Sequence, residues 1–193
     1  DAVGPKEERQ ARMELAWHDI EPNTFGTNEF VDFCRKINSE PYMAVNCGDG
    51  DMRDARDWLE YCNGTKDTTL VKLRKQHGYE KPHNIKYWSI GNEVDGPWQI
   101  GMKTPEEYAR AYTEYAKVMK WTDPSIKLLA AAVSLWIDRD WVERIQLLME
   151  HAHDAKRFTG QRNLIDYMAI HWYVGNDKMR GFADDDFASY MAI

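Results

Sequence analysis

Residues 85–90 make a short apolar run, rich in β-branched and aromatic side chains, that stops abruptly at Gly91, Asn92 and Glu93. A run of that length ending in turn formers suits a strand buried on both faces, as in a parallel sheet covered by helices. The residues that follow, Asp95, Gly96, Pro97 and Trp98, can continue neither a strand nor a helix and so form a loop. The stretch 87–101, YWSIGNEVDGPWQIG, therefore gathers an amide, a carboxylate and an indole just past one strand end.

The same pattern recurs along the chain. Strands are expected over 12–17, 41–46, 127–133 and 167–172, and their endings are again polar or turn-forming: Trp17, His18 and Asp19; Asn46, Cys47, Gly48, Asp49 and Gly50; His171, Trp172 and Tyr173. Helical periodicity fills the gaps. A helix over 28–37, with Thr27 as N-cap, carries Phe30, Phe33, Cys34 and Ile37 on one stripe. A second, over 52–62, has Met52, Ala55, Leu59 and Cys62 on one face and Arg53, Arg56, Asp57 and Glu60 largely on the other. A shorter one over 69–76 closes at Gly78. Thr104, Pro105, Glu106 and Glu107 combine a capping box with proline at the first helical position, and Tyr108, Tyr112, Tyr115 and Met119 then repeat at helical spacing until Asp123 and Pro124. A last helix is expected over 140–152 with Trp141, Ile145 and Leu148 inward, while 175–193 has no clear assignment.

Strands alternating with helices imply an α/β fold of βαβ units with a parallel sheet. No glycine-rich phosphate turn follows any strand, since Gly48 and Gly50 lack both the third glycine and an acidic ribose partner, so a (β/α)8 barrel is favoured over a doubly wound sheet. In a barrel the carboxyl ends of the strands carry the chemistry. With 193 residues the chain is shorter than the roughly 250 of a full barrel, so 1–193 reads as one incomplete (β/α)8 domain with exposed strand edges. The remainder of the same enzyme, or further copies in a homo-oligomer, is expected to cover them. The N-terminus, DAVGPKEERQ, likewise reads as the middle of a longer polypeptide.

Composition removes several classes of partner. The net charge of −7 and the lack of a Lys/Arg cluster argue against nucleic acid. No apolar run is long enough to span a membrane. The eight Trp and ten Tyr supply faces suited to stacking on sugar rings, although most serve the core. Cys34, Cys47 and Cys62 are odd in number and form no CxxC pair, which points to buried free thiols and a reducing, cytoplasmic setting, with secretion as the alternative. His151 and His153 would point to different sides of a helix, and nothing signals a metal or organic cofactor. Asn63, Gly64 and Thr65 spell a glycosylation acceptor, but a helix C-cap with Gly64 at positive φ is the simpler reading.

A carboxylate at a strand end among aromatic residues suits a general acid for glycoside hydrolysis. An apolar surround disfavours the ionised form of Glu93 and keeps a proton available for the leaving oxygen. Asn92 could hold a sugar hydroxyl in a contact that tightens as oxocarbenium character develops. An Asn-Glu pair alone is common, and by itself is read slightly more readily as a turn former beside a salt-bridged acid.

The segments FGTNEFVDFC, EPYMAVNCG, WLEYCN, HNIKYWSIGNEVDGPWQIG and IHWYVGN resemble the central part of the α-L-arabinofuranosidases of glycoside hydrolase family 51, retaining enzymes on a (β/α)8 barrel. The likeness extends over nearly the whole chain. GNE is shared by much of that clan, whereas GNEVDGPWQIG preceded by HNIKYWSI is particular to the family. The resemblance implies a partial barrel, roughly strands 3 to 6 with their helices, in which Glu93 is the acid/base on the fourth strand. It further implies that Asn92 contacts the sugar, that Tyr173 lines the glycone pocket with His171 two residues before it, and that Trp98 and Gln99 flank the entrance. The implied substrates are terminal arabinofuranosyl units on arabinan, arabinoxylan or small glycosides.

In the family the nucleophile lies on the seventh strand, for which no matching segment precedes Ile193, and the first two strands and the β-sandwich domain have no counterpart here. Asp184, Asp185 and Asp186 read as a solvated acidic run rather than as substitutes. The expectation is a chain that carries the acid/base and lacks the nucleophile. The alternatives are a noncatalytic sugar-binding or assembly fragment using Trp98, Trp172 and Tyr173 as platforms, and a xylosidase or glucanase of the same clan.

Overall fold

The structure is a computed structural model and describes residues 2–133, 147 and 164–171. After one turn of 3-10 helix (Lys6–Glu8) the chain forms an antiparallel hairpin of β1 (Arg12–Glu14) and β2 (Asp19–Glu21). Helix α1 (Thr27–Lys36) leads into β3 (Tyr42–Val45); α2 (Met52–Asn63) and α3 (Thr69–Gln76) connect it to β4 (Tyr87–Ile90). Helix α4 (Pro105–Thr122) joins β4 to β5 (Lys127–Val133), and β6 (Tyr167–Ile170) follows. Strands β3 to β6 form a four-stranded parallel sheet whose spatial order is their sequence order. A doubly wound sheet would reverse that order at a switch point; an unbroken sequential order is that of a barrel segment.

The pleat explains the core. Met43 and Val45 of β3, Trp88 and Ile90 of β4, and Leu128 and Ala130 of β5 are buried in one cluster with Leu59 and Cys62 of α2 and Tyr108, Tyr112 and Met119 of α4. Trp88 is wholly enclosed, meets Trp58 edge to face at 5.4 Å, and donates its indole N–H to Ile85 O. Each such large side chain contributes about 1.5–3 kcal/mol on burial. On the opposite face of β3 Tyr42 is half exposed, and Tyr87 and Tyr167 meet at 6.1 Å.

Three tyrosines of α4 tie this helix to the strands and to the loops around them through their hydroxyls. Tyr108 donates to Ile90 O and accepts from the Ala131 amide, Tyr112 donates to Leu164 O, and Tyr115 donates to Gly50 O and Asn46 O. Burial pushes all three phenols well above their ordinary range, so they act as neutral donors. The periodic tyrosines thus have polar partners as well as packing.

Several local expectations are corrected. The run over 12–17 does not enter the parallel sheet: Met13 pairs with Ile20, while Leu15, Ala16, Trp17 and His18 make the hairpin turn. Closing so short a turn costs little chain entropy, so the nearby partner wins over a distant strand. The N-cap of α1 is Gly26, whose amide donates to Glu29 Oε2, and Thr27 is the first helical residue. Its inward stripe is Thr27, Asn28, Val31 and Cys34, with Phe33 and Ile37 half exposed. Asn28 turns the helix this way, because its amide group is shared between Tyr61 and His83 in the interior.

Met52 is likewise exposed, at the start of α2. Gly64 has φ −57 rather than a positive value; the left-handed position is Gly78, φ 93, after α3. Asn63 is buried, bonded to Ile85 and Asp123, and serves as a structural link from α2 to the segment before β4 and to the end of α4. The three cysteines are buried and free. The helix expected over 140–152 (except Leu147), His151, His153, Trp172, Tyr173 and the tail 175–193 lie outside the described residues.

Candidate active site at the carboxyl ends of β3, β4 and β6

Strand β4 ends under tight control. The Gly91 amide donates the last rung to Val45 O at 3.0 Å, while Tyr108 holds the Ile90 carbonyl from the helix side. Gly91 then takes φ 82, where a side chain is strained, and a Cβ there would stand 2.5 Å from both Cys47 Sγ and Val94 Cγ1. Two residues on, Glu93 itself lies in the left-handed region at φ 47. A non-glycine residue held there costs of order 1 kcal/mol and persists where the surroundings over-determine it, which is common at functional sites. The turn aims Glu93 off the end of the strand.

Its carboxylate is gripped at both oxygens. Trp98 Nε1–H donates to Oε2 at 2.7 Å, and His171 Nδ1, just past β6, lies 2.8 Å from Oε1. The Glu93 side chain keeps 12% of its surface exposed and that of His171 32%. An imidazole nitrogen can donate to a carboxylate or, as the other tautomer, accept from a carboxylic acid, so the pair can hold Glu93 in either charge state. The aromatic surround expected for Glu93 thus includes polar contacts from Trp98 and His171.

Trp98 reaches Glu93 because the loop doubles back. Gly96 N donates to Glu93 O and Gln99 N to Gly96 O, and the indole then lies over Gly96, where a Cβ would meet it at 2.5 Å. Trp98 is also 45% exposed and, with Asn92 and Gln99, lines an open cavity of about 680 Å³ between the β4 loop, the loop after β3 and the hairpin. Glu93 and His171 are not in that lining; Trp98 connects them to it. Asn46, at the end of β3, lines the same cavity, accepts from the Gly48 amide and donates to Asp49.

Of the six residues singled out from sequence, Glu93, Trp98 and His171 are in direct contact, Asn92 and Gln99 stand beside them, and Tyr173 lies outside the described residues. Gly91, Gly96 and Cys47 also shape the site and are not singled out by the sequence pattern, although the glycine two places before Trp98 is a usable signal of an indole folding back. Burial pushes the Cys47 thiol up, with the Lys103 ammonium pulling the other way. Among the described residues no group of three or more His, Cys, Asp or Glu side chains is arranged to hold a metal ion.

A sequentially ordered parallel sheet with its polar side chains gathered at the carboxyl ends is the working face of a (β/α)8-barrel protein. Residues 1–185 match the family model of the α-L-arabinofuranosidase 1 domain. The chain belongs to that family, glycoside hydrolase family 51. It is 45% identical over 195 positions to an intracellular exo-α-(1→5)-L-arabinofuranosidase of Halalkalibacterium halodurans, covering 100% of this chain and 35% of the relative.

Its structure is similar to the family 51 α-L-arabinofuranosidase AbfB of Bifidobacterium longum, with TM-score 0.86 and 32% identity over 99% of this chain and 37% of that one. It is also similar to the arabinose complex of the Thermotoga maritima α-L-arabinofuranosidase, with TM-score 0.76 and 42% identity over 91% and 33%. The chain spans about a third of the length of the curated relatives it matches.

Proposed function

We propose that the chain is the acid/base-bearing part of a retaining α-L-arabinofuranosidase that releases terminal α-L-arabinofuranosyl residues from arabinan- or arabinoxylan-type glycosides. The observation that carries this reading is the Glu93 carboxylate, raised on a strained strand end and held between Trp98 and His171. In the first step Glu93 gives its proton to the glycosidic oxygen as the bond to the anomeric carbon breaks, and a second carboxylate takes that carbon. In the second step Glu93 removes a proton from water, which displaces the enzyme carboxylate and regenerates the acid.

Asn92 holds a hydroxyl of the arabinofuranosyl ring, Trp98 and Gln99 flank the entrance, and Tyr173 lines the glycone pocket. The second carboxylate comes from another segment of the enzyme, and so do the elements that cover the open sheet edges. Arabinose-containing oligosaccharides or polysaccharides are the partners, and the cytoplasm is the site of action. The buried free thiols and the intracellular relative favour that compartment.

The test is a graft of residues 1–193 into the matching segment of the Halalkalibacterium halodurans relative, assayed with p-nitrophenyl α-L-arabinofuranoside. The graft is expected to turn over and to lose most activity on Glu93→Ala, with azide restoring part of it, while the 193-residue chain alone is inactive. Turnover by the chain alone that survives Glu93→Ala would overturn the reading. A second reading, a noncatalytic sugar-binding fragment, is favoured by the exposed Trp98 face in the cavity. Calorimetric binding of arabino-oligosaccharides by a graft without turnover would select it.

A further inference from the structure

Residues 94–103 form a loop that is largely closed on itself. The Lys103 amide donates to Val94 O at 2.8 Å across the base, and successive turns run from Gly96 to Glu93, from Gln99 to Gly96 and from Met102 to Gln99. Trp98 packs on the loop's own Gly96. Bonds of this kind hold the loop's shape but leave its tilt over the sheet to other contacts.

Two features bind it to the loop after β3. Lys103 Nζ donates to Gly101 O at 2.8 Å, within its own loop, and to Cys47 O at 2.7 Å, at the end of β3. Beside it the two backbones touch: a Cβ on Gly48 would lie 2.3 Å from Ile100 O, and one on Gly101 would lie 2.6 Å from Gly48 Cα. The glycine contact supplies fit without direction. The ammonium supplies two directed, charge-assisted bonds that a neutral side chain could not make.

We infer that Lys103 is a positioning residue: by joining the Cys47 and Gly101 carbonyls it holds the β4 loop at the tilt that brings the Trp98 indole onto Glu93. This rests on the reading of Glu93 as the proton donor, since Lys103 acts through Trp98 and touches no substrate. An ammonium suits the seam because its donors diverge and can serve two converging carbonyls, and a guanidinium retains both charge and donors. Methionine has comparable length and neither.

The experiment uses the grafted protein labelled with 15N at its indoles, the Trp98 signal being assigned with Trp98→Phe. In Lys103→Met the exchange of the Trp98 indole proton is expected to rise about tenfold, the scale of one lost charge-assisted hydrogen bond, and to return toward the original rate in Lys103→Arg. The remaining indoles should keep their rates, and the unfolding midpoint should stay within a few degrees.

An unchanged Trp98 rate in Lys103→Met, an equal rise at every indole, or a Lys103→Arg variant as fast as Lys103→Met would each overturn the inference. Should Lys103→Met fail to fold, Lys103→Gln against Lys103→Arg decides in the same way. The readout needs no substrate. A graft without arabinofuranosidase activity would therefore sink the proposed function and leave this measurement standing.

Discussion

His171 Nδ1 lies 2.8 Å from Glu93 Oε1 across 78 residues of sequence, so the ends of β6 and β4 meet on one carboxylate although β5 separates the two strands in the sheet. The contact depends on both strands ending level with β5, where Ile90 pairs with Ala130 and Ala169 with Ala131. It ties the candidate proton donor to the geometry of the sheet.

If His171 helps hold Glu93, its replacement should change catalysis more than folding. In the grafted enzyme, Glu93→Gln is expected to lower kcat about a hundredfold to ten-thousandfold, the usual range for a lost general acid. His171→Phe should lower kcat about tenfold with little change in the urea midpoint, and His171→Gln, which keeps a donor, should lose less. Equal activity of His171→Phe and the parent would show that the contact is passive.

Gly91→Ala tests the strand end. It imposes φ 82 on a residue with a side chain and pushes a methyl against Cys47 Sγ and Val94 Cγ1, each at 2.5 Å. A destabilisation of about 1–3 kcal/mol is expected by urea titration. Cys47→Ala added to it should recover the share of the clash made by Cys47 Sγ and leave the Val94 contact and the backbone part, so the double variant should lie between Gly91→Ala and the parent. Full recovery would mean that the dihedral strain is negligible.

The tyrosine row of α4 predicts an ordered set of costs. Tyr108→Phe leaves the Ile90 carbonyl and the Ala131 amide without a buried partner, whereas Tyr112→Phe affects the Leu164 carbonyl. The former should cost about 2–4 kcal/mol and the latter about 1–2 kcal/mol in urea unfolding. A reversed order would show that packing, not hydroxyl satisfaction, sets the value of these positions.

Much of this architecture was legible because it rests on local signals. Thr104, Pro105 and Glu107 mark the start of α4 through a capping box, and the Ala-rich run of β5 has the composition of a strand crowded on both faces. Long-range polar contacts were not legible. The inward face of α1 is set by Asn28 reaching Tyr61 and His83, which no apolar count reveals. Within the site, Glu93 and Trp98 can be placed on one loop from sequence, but the indole's turn back onto the carboxylate depends on φ at Gly91 and Glu93 and on the lack of a side chain at Gly96. The hairpin is not legible because its second strand, Asp19–Glu21, has a single apolar residue and is recognisable only by its partner.

His83 predicts a pH dependence of stability. Burial first, and the Arg74 charge second, push its pKa from 6.5 down to about 4, so it is neutral when folded and bonds Asn28 Oδ1 through Nε2. Between those values the unfolded chain binds the extra proton. Stability is then complete above about pH 6.5 and falls as pH drops toward 4, by about 3 kcal/mol from this group. His83→Gln keeps a donor and removes the titration, so urea midpoints measured from pH 7 to 4 should fall less steeply than in the parent. Parallel curves would show that His83 carries no linkage.

Asp166 sits at the amino end of β6, away from Glu93, and accepts from Lys120 Nζ, Lys127 Nζ and the Leu128 amide, each at 2.9 Å. Burial raises its carboxyl, but the amide and the two ammonium groups outweigh burial and hold it below its ordinary range. Its contribution is therefore present above the unfolded value near 3.8 and is lost as pH falls below it. The Lys120 side chain is only 8% exposed and that of Asp166 7%, so Asp166→Asn takes a carboxylate away from a buried ammonium that keeps its bond to Ile126 O. Breaking such a pair from one side costs about 3–5 kcal/mol, whereas replacing both members is far milder. Asp166→Asn should therefore unfold at markedly lower urea, and Lys120→Met added to it should recover most of the loss. Because the cluster lies at the other end of the strands, turnover per folded grafted molecule should not change. A double variant no more stable than Asp166→Asn would assign the loss to the Leu128 amide and Lys127 instead of to the buried pair.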